Sequence, residues 1–198
     1  MLLIIDNQSK YLRTFKRNFL DDLDIPHVIV EHNEQIDFRR LSSVQGLMLS
    51  GGKGNPYEPL NLTSNYVALM NLDVPTIGVC LGHEIIASAY QSKIKRMSDY
   101  QAKKERDFIG AVDDPIFRGL EKTEIMIQKK HRFHVPKPSQ NFEILAHSAT
   151  CPNEIMRHKK KRIYGFQGHP EISGKDGQQI MANFLEMCGL EGVDIFGG

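Results

Sequence analysis

Short apolar segments bounded by polar or turn-forming residues recur in the first part of the chain. They cover residues 2–6, 27–30, 45–49 and 75–79. Apolar segments of this length are typical of strands buried on both faces of a parallel sheet. Between the first two, Leu12, Phe15 and Phe19 repeat at helical spacing, which predicts a helix over residues 9–20 with Ser9 as its N-cap.

The same alternation continues further along the chain and then changes. Helical patterns cover residues 62–71 and 82–90, and strand-like patterns cover residues 124–128, 143–146 and 162–166. A last helix is predicted over residues 178–188, where one apolar face carries Ile180, Met181, Phe184, Leu185 and Cys188. The order of elements predicts an α/β fold, in which helices flank an open, mostly parallel sheet with an antiparallel extension in residues 107–164.

Composition and charge limit the classes of function. At 198 residues, with 40% hydrophobic and 25% charged residues and no linker-like segment, residues 1–198 are predicted to form one domain. The formal net charge of +1 indicates neither a nucleic acid nor an anionic membrane as partner. The basic cluster at residues 158–162 lies between two predicted strands, so it is interpreted as a solvated hairpin turn in preference to a phosphate or partner contact.

The N-terminal segment and the cysteines point to the same compartment. The N-terminal apolar segment is too short for a signal peptide or a membrane span. Cys80, Cys151 and Cys188 are odd in number and widely spaced, which fits a reducing compartment better than a disulfide framework. A cytoplasmic location is therefore expected, and without a Cys-x-x-Cys pair no metal site is predicted.

Cys80 is the first candidate for chemistry. It lies between the predicted strand that ends at residue 79 and the helix that follows, with Gly78 and Gly82 on either side. This is the layout of a nucleophile elbow, a sharp turn that only residues without a Cβ allow. A thiol at a helix N-terminus is favoured as thiolate. By itself, however, the motif fits a small buried cysteine equally well.

A second motif far along the chain changes that balance. His169, Pro170 and Glu171 follow the predicted strand over residues 162–166. In an extended segment, residues two apart point to the same side, so Glu171 can orient the ring of His169. A nucleophile, a base and an orienting carboxylate are then all present.

A glycine pair supplies the third motif. Ser50, Gly51 and Gly52 end the predicted third strand, and such a loop can turn a backbone N–H toward a developing oxyanion. The N–H of Leu81 would be a second donor. A plain turn remains the alternative for any glycine pair, and a phosphate-binding loop is disfavoured because its spacing and its Lys-Ser/Thr pair are missing.

Taken together, the motifs at residues 50–52, 78–83 and 169–171 resemble those of the class I glutamine amidotransferases. The resemblance covers nearly the whole chain, and residues 142–148 and 151–158 are most similar to the glutaminase subunits of archaeal GMP synthetases that consist of two proteins. It implies Cys80 as nucleophile, His169 as base, Glu171 as orienting group, and Gly52 and Leu81 as oxyanion donors. Glu84 and His131 occupy positions that it associates with the bound substrate.

The resemblance also implies a reaction and a partner. Glutamine would be hydrolysed through a thioester to glutamate and ammonia, without a metal or another cofactor in this chain. The ammonia would pass to a separate synthetase, which uses ATP and magnesium to adenylate xanthosine monophosphate. A chain of this length leaves no room for that domain, so the synthetase is expected as a partner protein.

Three departures from the family pattern leave other functions open. Glu84 stands where the family has Gln, and its carboxylate is expected to repel that of the substrate. Gly168 replaces a Phe, which would remove an aromatic wall and loosen the site, and Lys130 and Phe133 replace a Ser and an Asp. His131 and His134 are interpreted as an exposed strand pair. A stand-alone γ-glutamyl hydrolase or peptidase, or a catalytically weakened regulatory subunit, are the alternatives.

Overall fold

A computed structural model describes residues 1–41, 43–110, 113–120 and 123–190; the last eight residues of the predicted domain lie outside these ranges. The strands of the described part are β1 (Leu2–Asn7), β2 (His27–Glu31), β3 (Gly46–Gly52), β4 (Thr76–Val79), β5 (Lys93–Gln101), β6 (Lys104–Ile109), β7 (Glu124–Gln128), β8 (His131–Lys137), β9 (Phe142–His147), β10 (Ile155–His158) and β11 (Ile163–Phe166). The α-helices are α1 (Leu12–Phe15), α2 (Thr63–Asn71), α3 (Leu81–Ala89) and α4 (Gly174–Met187).

The main sheet has nine strands in the order β2-β1-β3-β4-β11-β10-β9-β6-β7, and β5 pairs with β8 in a separate two-stranded sheet. The strands from β2 to β11 run parallel, while β10, β9, β6 and β7 pair antiparallel. The predicted α/β fold with an antiparallel extension is confirmed. In such sheets ligands bind beyond the carboxyl ends of the parallel strands.

Alternate residues of β1 build the two halves of the core. Leu2 and Ile4 pack in one buried cluster with α1 and α4, while Leu3 and Ile5 pack in another with α2 and α3. This division follows from the two-residue period of a strand, which points successive side chains to opposite faces. Helices therefore cover both faces of the parallel half. No helix in the described ranges is long and apolar enough to cross a membrane.

The first helix differs from its prediction. It begins at Leu12, and Ser9 lies in the preceding turn, where its Oγ accepts a hydrogen bond from the Tyr11 N–H at 3.3 Å. Gln8 adopts a left-handed backbone with φ of 64°, which ends the strand before any helix can start. Beyond Phe15 the chain continues as a π-helix over Lys16–Asp21. Ser9 is therefore not the N-cap.

The turn between β10 and β11 and the last helix, α4, agree more closely with the sequence pattern. The turn between β10 and β11 exposes the basic residues 159–162, as predicted. His158 at its start is buried against the rings of Tyr90 and Phe142. Helix α4 buries the predicted apolar face and starts at Gly174, four residues before its predicted start.

Two glycines allow β3, β4 and α3 to pack in direct backbone contact. A Cβ at Gly82 would lie 2.1 Å from the backbone oxygen of Leu49, and one at Gly78 would lie 2.5 Å from the oxygen of Gly82. Neither distance is compatible with a side chain. The predicted reason for these glycines is confirmed, since they let α3 begin directly at the end of β4.

We expect Gly82→Ala to destabilise the protein by about 2 kcal/mol or more, because the new methyl group must push α3 away from β3. Urea unfolding followed by circular dichroism measures the change. Gly110→Ala is the matched control, since its Cβ would meet only the Leu145 oxygen, at 3.5 Å. Equal stability of the two variants would contradict this explanation of Gly82.

Candidate active site

Cys80 occupies the corner between β4 and α3 in a strained backbone conformation. Its φ of 51° and ψ of −104° lie outside the regions that residues with a Cβ favour. Non-glycine residues are held in such conformations mainly at functional sites. The Cys80 N–H donates to the oxygen of Phe166 at 2.7 Å, which ties the corner to the end of β11. The predicted sharp turn from strand to helix is present at Cys80, and the role of Cys80 as nucleophile stays a prediction.

His169 and Glu171 form a buried pair beyond the end of β11. Nδ1 of His169 lies 2.8 Å from Oε1 of Glu171, and both side chains are almost fully buried. The contact was expected from an extended segment. In the structure a 3-10 helix, Pro170–Ile172, follows His169 and turns the carboxylate back to the ring. The pairing is found, although the local geometry that produces it differs from the prediction.

The backbone around Cys80 brings the sulfur and the imidazole into one site. The Cys80 thiol and the His169 imidazole are close enough for each to shift the pKa of the other. Gly51 packs between them, because a Cβ there would lie 3.0 Å from Cε1 of His169 and 3.4 Å from Cβ of Cys80. The Cys80 thiol also lies within donating distance, 3.6 Å, of the Lys130 oxygen. With Nδ1 engaged by Glu171, the other ring nitrogen of His169 is left for the thiol.

The ionisation of this pair is set by burial and by the neighbouring carboxylate. Burial raises the pKa of the Cys80 thiol, and the neighbouring imidazole of His169 opposes that shift. Burial acts to lower the pKa of His169, but Glu171 and Cys80 together raise it well above its ordinary value. A more basic imidazole favours transfer of the thiol proton to His169, which produces the nucleophilic thiolate.

The sulfur opens onto a cavity of about 180 Å³ at the carboxyl ends of the parallel strands. Its lining consists of Gln8, Ser9, Lys10, Tyr11, Gly52, Lys53, Cys80, Tyr100, Lys130 and His169. Three of these residues are lysines and none is acidic. Because β1, β3, β4 and β11 are neighbours, residues that follow each strand meet here.

Tyr11 is a site residue that the sequence motifs did not identify. Its ring lies edge-on to the ring of His169, with 4.9 Å between centroids. The ammonium groups of Lys10 and Lys130 lie 5.1 and 5.8 Å from the Tyr11 centroid. The only available signal was its position just after a parallel strand, where functional loops occur.

The glycine loop is fixed by a network around Asn7. The Asn7 N–H donates to Oγ of Ser50 at 2.9 Å, and its Nδ2 donates to the Ser50 oxygen at 2.8 Å. A Cβ at Gly52 would lie 1.8 Å from the Asn7 oxygen, so only glycine fits. Gly52 lines the cavity and Leu81 starts α3 next to Cys80. Their roles as oxyanion donors stay predictions.

Glu84 and His131, the two residues that the resemblance associates with the substrate, are buried. Glu84 is buried, and its Oε1 accepts a hydrogen bond from Nε2 of Gln167 at 3.1 Å. His131 is buried with Nδ1 2.8 Å from the Phe133 oxygen, so the interpretation as an exposed pair with His134 is wrong for His131. Neither residue is among those that line the cavity. A substrate contact by either one stays a prediction.

Gly168 does not loosen the site. A Cβ at this position would lie 2.2 Å from Cγ2 of Ile127 and 3.2 Å from the Gln128 oxygen. Strand β7 thus packs directly against the residue before His169, and the His169 N–H donates to the Gln128 oxygen at 2.9 Å. Ile127 of β7 thus fills the space that was expected to be empty beside Gly168. The ring of Tyr11 provides an aromatic side chain next to His169.

Most of the chain matches one known protein family. Residues 3–188 match the family model described as glutamine amidotransferase class-I. The chain belongs to the class I glutamine amidotransferase family. No group of three or more histidine, cysteine or carboxylate side chains in the described ranges is arranged to hold a metal ion.

Individual relatives cover almost the full chain. A protein of Methanococcus aeolicus, named as the A subunit of a glutamine-hydrolyzing GMP synthase, is 34% identical over 97% of this chain and 100% of its own. The protein of the same name from Archaeoglobus fulgidus is 34% identical over 93% and 97%. A crystal structure from Thermoplasma acidophilum, described as a candidate for the corresponding GMP synthase subunit, superposes with a TM-score of 0.84 at 28% identity, covering 95% and 93%.

The buried carboxyl of Glu84 makes a prediction about stability. Burial raises the pKa of Glu84 to about 8 from 4.5, although the hydrogen bond from Gln167 opposes the shift. Between these values the folded state binds more protons than the unfolded state, so stability falls as the pH rises through this window.

We expect Glu84→Gln to remove the loss of stability at higher pH, because an amide keeps the hydrogen bond from Gln167 and cannot ionise. The stability gain over wild type should grow from pH 5 to pH 8 and reach at most about 5 kcal/mol, given the shift from 4.5 to about 8. Chemical unfolding at several pH values measures it, with the exposed Glu31→Gln as control. A gain that does not change with pH would contradict the assignment.

Proposed function

We propose that this chain is the glutamine-hydrolysing subunit of a two-subunit GMP synthase and supplies ammonia to a separate synthetase. The observation that carries the proposal is the meeting of Cys80 with the His169–Glu171 pair in one cavity. The names of the relatives point to GMP synthesis. This chain matches them over nearly their full length, and their naming as A subunits supports a second protein for the ATP-using half of the reaction.

The geometry supports a two-step acyl transfer. The Cys80 thiol gives its proton to His169 and the sulfur attacks the side-chain carbonyl carbon of glutamine. The carbonyl oxygen becomes negative and would face the N–H groups of Gly52 and Leu81. His169 then returns the proton to the departing nitrogen, which leaves as ammonia while a thioester forms. Water, deprotonated by His169, attacks the thioester and releases glutamate and the free thiol.

The partner is proposed to receive the ammonia and to carry the cofactors. Hydrolysis of a glutamine amide through a thioester needs neither ATP nor a metal, so both are assigned to the synthetase, together with xanthosine monophosphate. The synthetase is also proposed to act on the glutaminase reaction itself. Its presence would govern how fast the reaction runs and whether the ammonia is used.

We expect Cys80→Ala to abolish glutamate release, and His169→Ala to lower it by about two to four orders of magnitude because the base is lost. Glu171→Gln should lower it by roughly a hundredfold or more, because the ring loses its orienting carboxylate. Cys188→Ala, which removes a buried thiol outside the cavity, is the control. Glutamate and ammonia are measured with and without the synthetase, ATP, magnesium and xanthosine monophosphate.

Two outcomes would contradict this proposal. If no ATP-dependent synthetase is captured by the chain and none changes its glutaminase rate, the assignment to GMP synthase fails. If Cys80 is not labelled by an electrophilic glutamine analogue and the wild-type rate equals that of Cys80→Ala, the chain is instead a regulatory subunit that kept the fold.

A second candidate function is supported by the three lysines of the cavity. Free glutamine carries one carboxylate and one ammonium group, and the lining has no acidic side chain to pair with the latter. A γ-glutamyl amino acid carries a second carboxylate on its leaving group. The charges of Lys10, Lys53 and Lys130 favour such a substrate, and a γ-glutamyl hydrolase acting on it would use the same residues.

We expect the two functions to separate with a matched pair of substrates, γ-glutamylglycine and its uncharged C-terminal amide. If the chain is a hydrolase of this kind, kcat/KM is higher for the acid than for the amide. Lys53→Gln should lower that preference about two- to fivefold, because the attraction from one exposed charge is small. Added salt should lower it too, because salt screens the attraction. Lys161→Gln, on the exposed turn, is the control. Equal rates for both dipeptides, well below that for glutamine, would exclude it.

A further inference from the structure

Lys129 is a lysine without any solvent exposure, placed directly behind the candidate active site. Its ammonium group lies 2.5 Å from Oδ1 of Asp107 on β6 and 2.7 Å from Oε2 of Glu154, just before β10. A buried ammonium group is costly unless it is paired in this way. The proposed reaction uses none of these three side chains.

The main chain on either side of Lys129 contacts both reactive residues. The Gln128 oxygen accepts the His169 N–H at 2.9 Å, and the Lys130 oxygen lies 3.6 Å from the Cys80 sulfur. The N–H of Lys129 itself donates to the Lys103 oxygen at 2.6 Å. Residues 128–130 therefore form a short bridge between the imidazole and the thiol, and Lys129 is its middle residue.

The side chain of Lys129 fixes this bridge to rigid parts of the sheet. Asp107 lies on β6, where it pairs in register with Ile125 of β7. The backbone oxygen of Glu154 accepts a hydrogen bond at 2.8 Å from the N–H of Gln167, which is two residues before His169. The aliphatic part of Lys129 would also lie 3.4 Å from a Cβ at Gly168. Both carboxylates are thus attached to elements that lead into the site.

Asp107 is affected by the charge of Glu154 as well as by that of the lysine. Burial, and then the charge of Glu154, raises the pKa of Asp107 to about 7 against the effect of Lys129. Oε1 of Glu154 accepts a hydrogen bond from Oγ of Ser148 at 2.7 Å. The cluster is held on several sides, which leaves the lysine little room to move.

We infer that Lys129 is a positioning residue, which holds residues 128–130 through Asp107 and Glu154 so that Cys80 and His169 keep their reactive geometry. It touches no reacting atom, and it acts through the two backbone oxygens that flank it. A displacement of about 1 Å in such a support can cost on the order of a hundredfold in rate. The inference concerns the proposed glutaminase activity, but it also predicts the reactivity of the Cys80 thiol itself.

The test is Lys129→Met, a substitution of similar length that removes the charge. We expect kcat for glutamine to fall about a hundredfold while KM changes less than about threefold, because the substrate cavity is not lined by Lys129. Alkylation of Cys80 by iodoacetamide, followed by mass spectrometry of the peptide that contains it, should slow in parallel. Asp107→Asn, which leaves the pair with Glu154, should show a smaller loss of the same kind.

Two further variants separate positioning from general stability. Arg157→Met removes another cation that pairs with two carboxylates, Asp114 and Glu143, but that lies on β10 away from the bridge. It should lower the melting temperature while kcat per folded molecule stays near wild type. The triple variant Lys129→Met, Asp107→Asn, Glu154→Gln buries no unpaired charge, so it should fold and still show the low kcat.

The results distinguish this inference from the proposed function. If the triple variant recovers wild-type kcat and wild-type alkylation of Cys80, the cluster serves only stability and the inference is overturned. The same holds if Arg157→Met lowers kcat as much as Lys129→Met. If the wild type hydrolyses no glutamine but Cys80 alkylation still depends on Lys129, the proposed function fails and the positioning role stands.

Discussion

The backbone of Cys80, held at φ 51° and ψ −104°, is the constraint around which the site is built. A residue with a Cβ keeps such a conformation only when the surrounding packing leaves no alternative. Gly78 and Gly82 provide that packing, since they let α3 approach β3 and β4 closer than any side chain would permit. The sulfur therefore stands at the open edge of the sheet, and every other functional group is placed relative to it.

Burial then determines how the charged groups behave. In a site shielded from water, a carboxylate next to an imidazole has a stronger effect than it would at the surface. This is why Glu171 can raise the pKa of His169 although burial alone would lower it. The same shielding makes the pairing of Lys129 with two carboxylates nearly obligatory. In both places, a buried ion pair holds a side chain in a fixed position: His169 through Glu171, and Lys129 through Asp107 and Glu154.

Local sequence patterns predicted most of the helices and strands. The features that they did not predict depend on contacts between residues that are distant in sequence. The apolar segments and the glycines around Cys80 were sufficient to predict the parallel strands, the elbow and the α/β fold, since each depends on neighbouring residues. Tyr11 and Lys129 gave no such signal, because their roles arise from His169, Asp107 and Glu154, which are remote in sequence. The burial of His131 was missed for the same reason. Gly168, expected to loosen the site, is required because Ile127 of β7 occupies the space beside it.

Glu84 was expected to repel the carboxylate of the substrate. It is buried against Gln167 with a pKa of about 8, so at neutral pH the group is mostly uncharged and resembles the amide of a glutamine. The residues that line the cavity include three lysines and none that is acidic, so the charge of the lining favours an anionic group over a cationic one. The charge at this cavity therefore comes from its lysines, while a contact between Glu84 and a substrate stays a prediction.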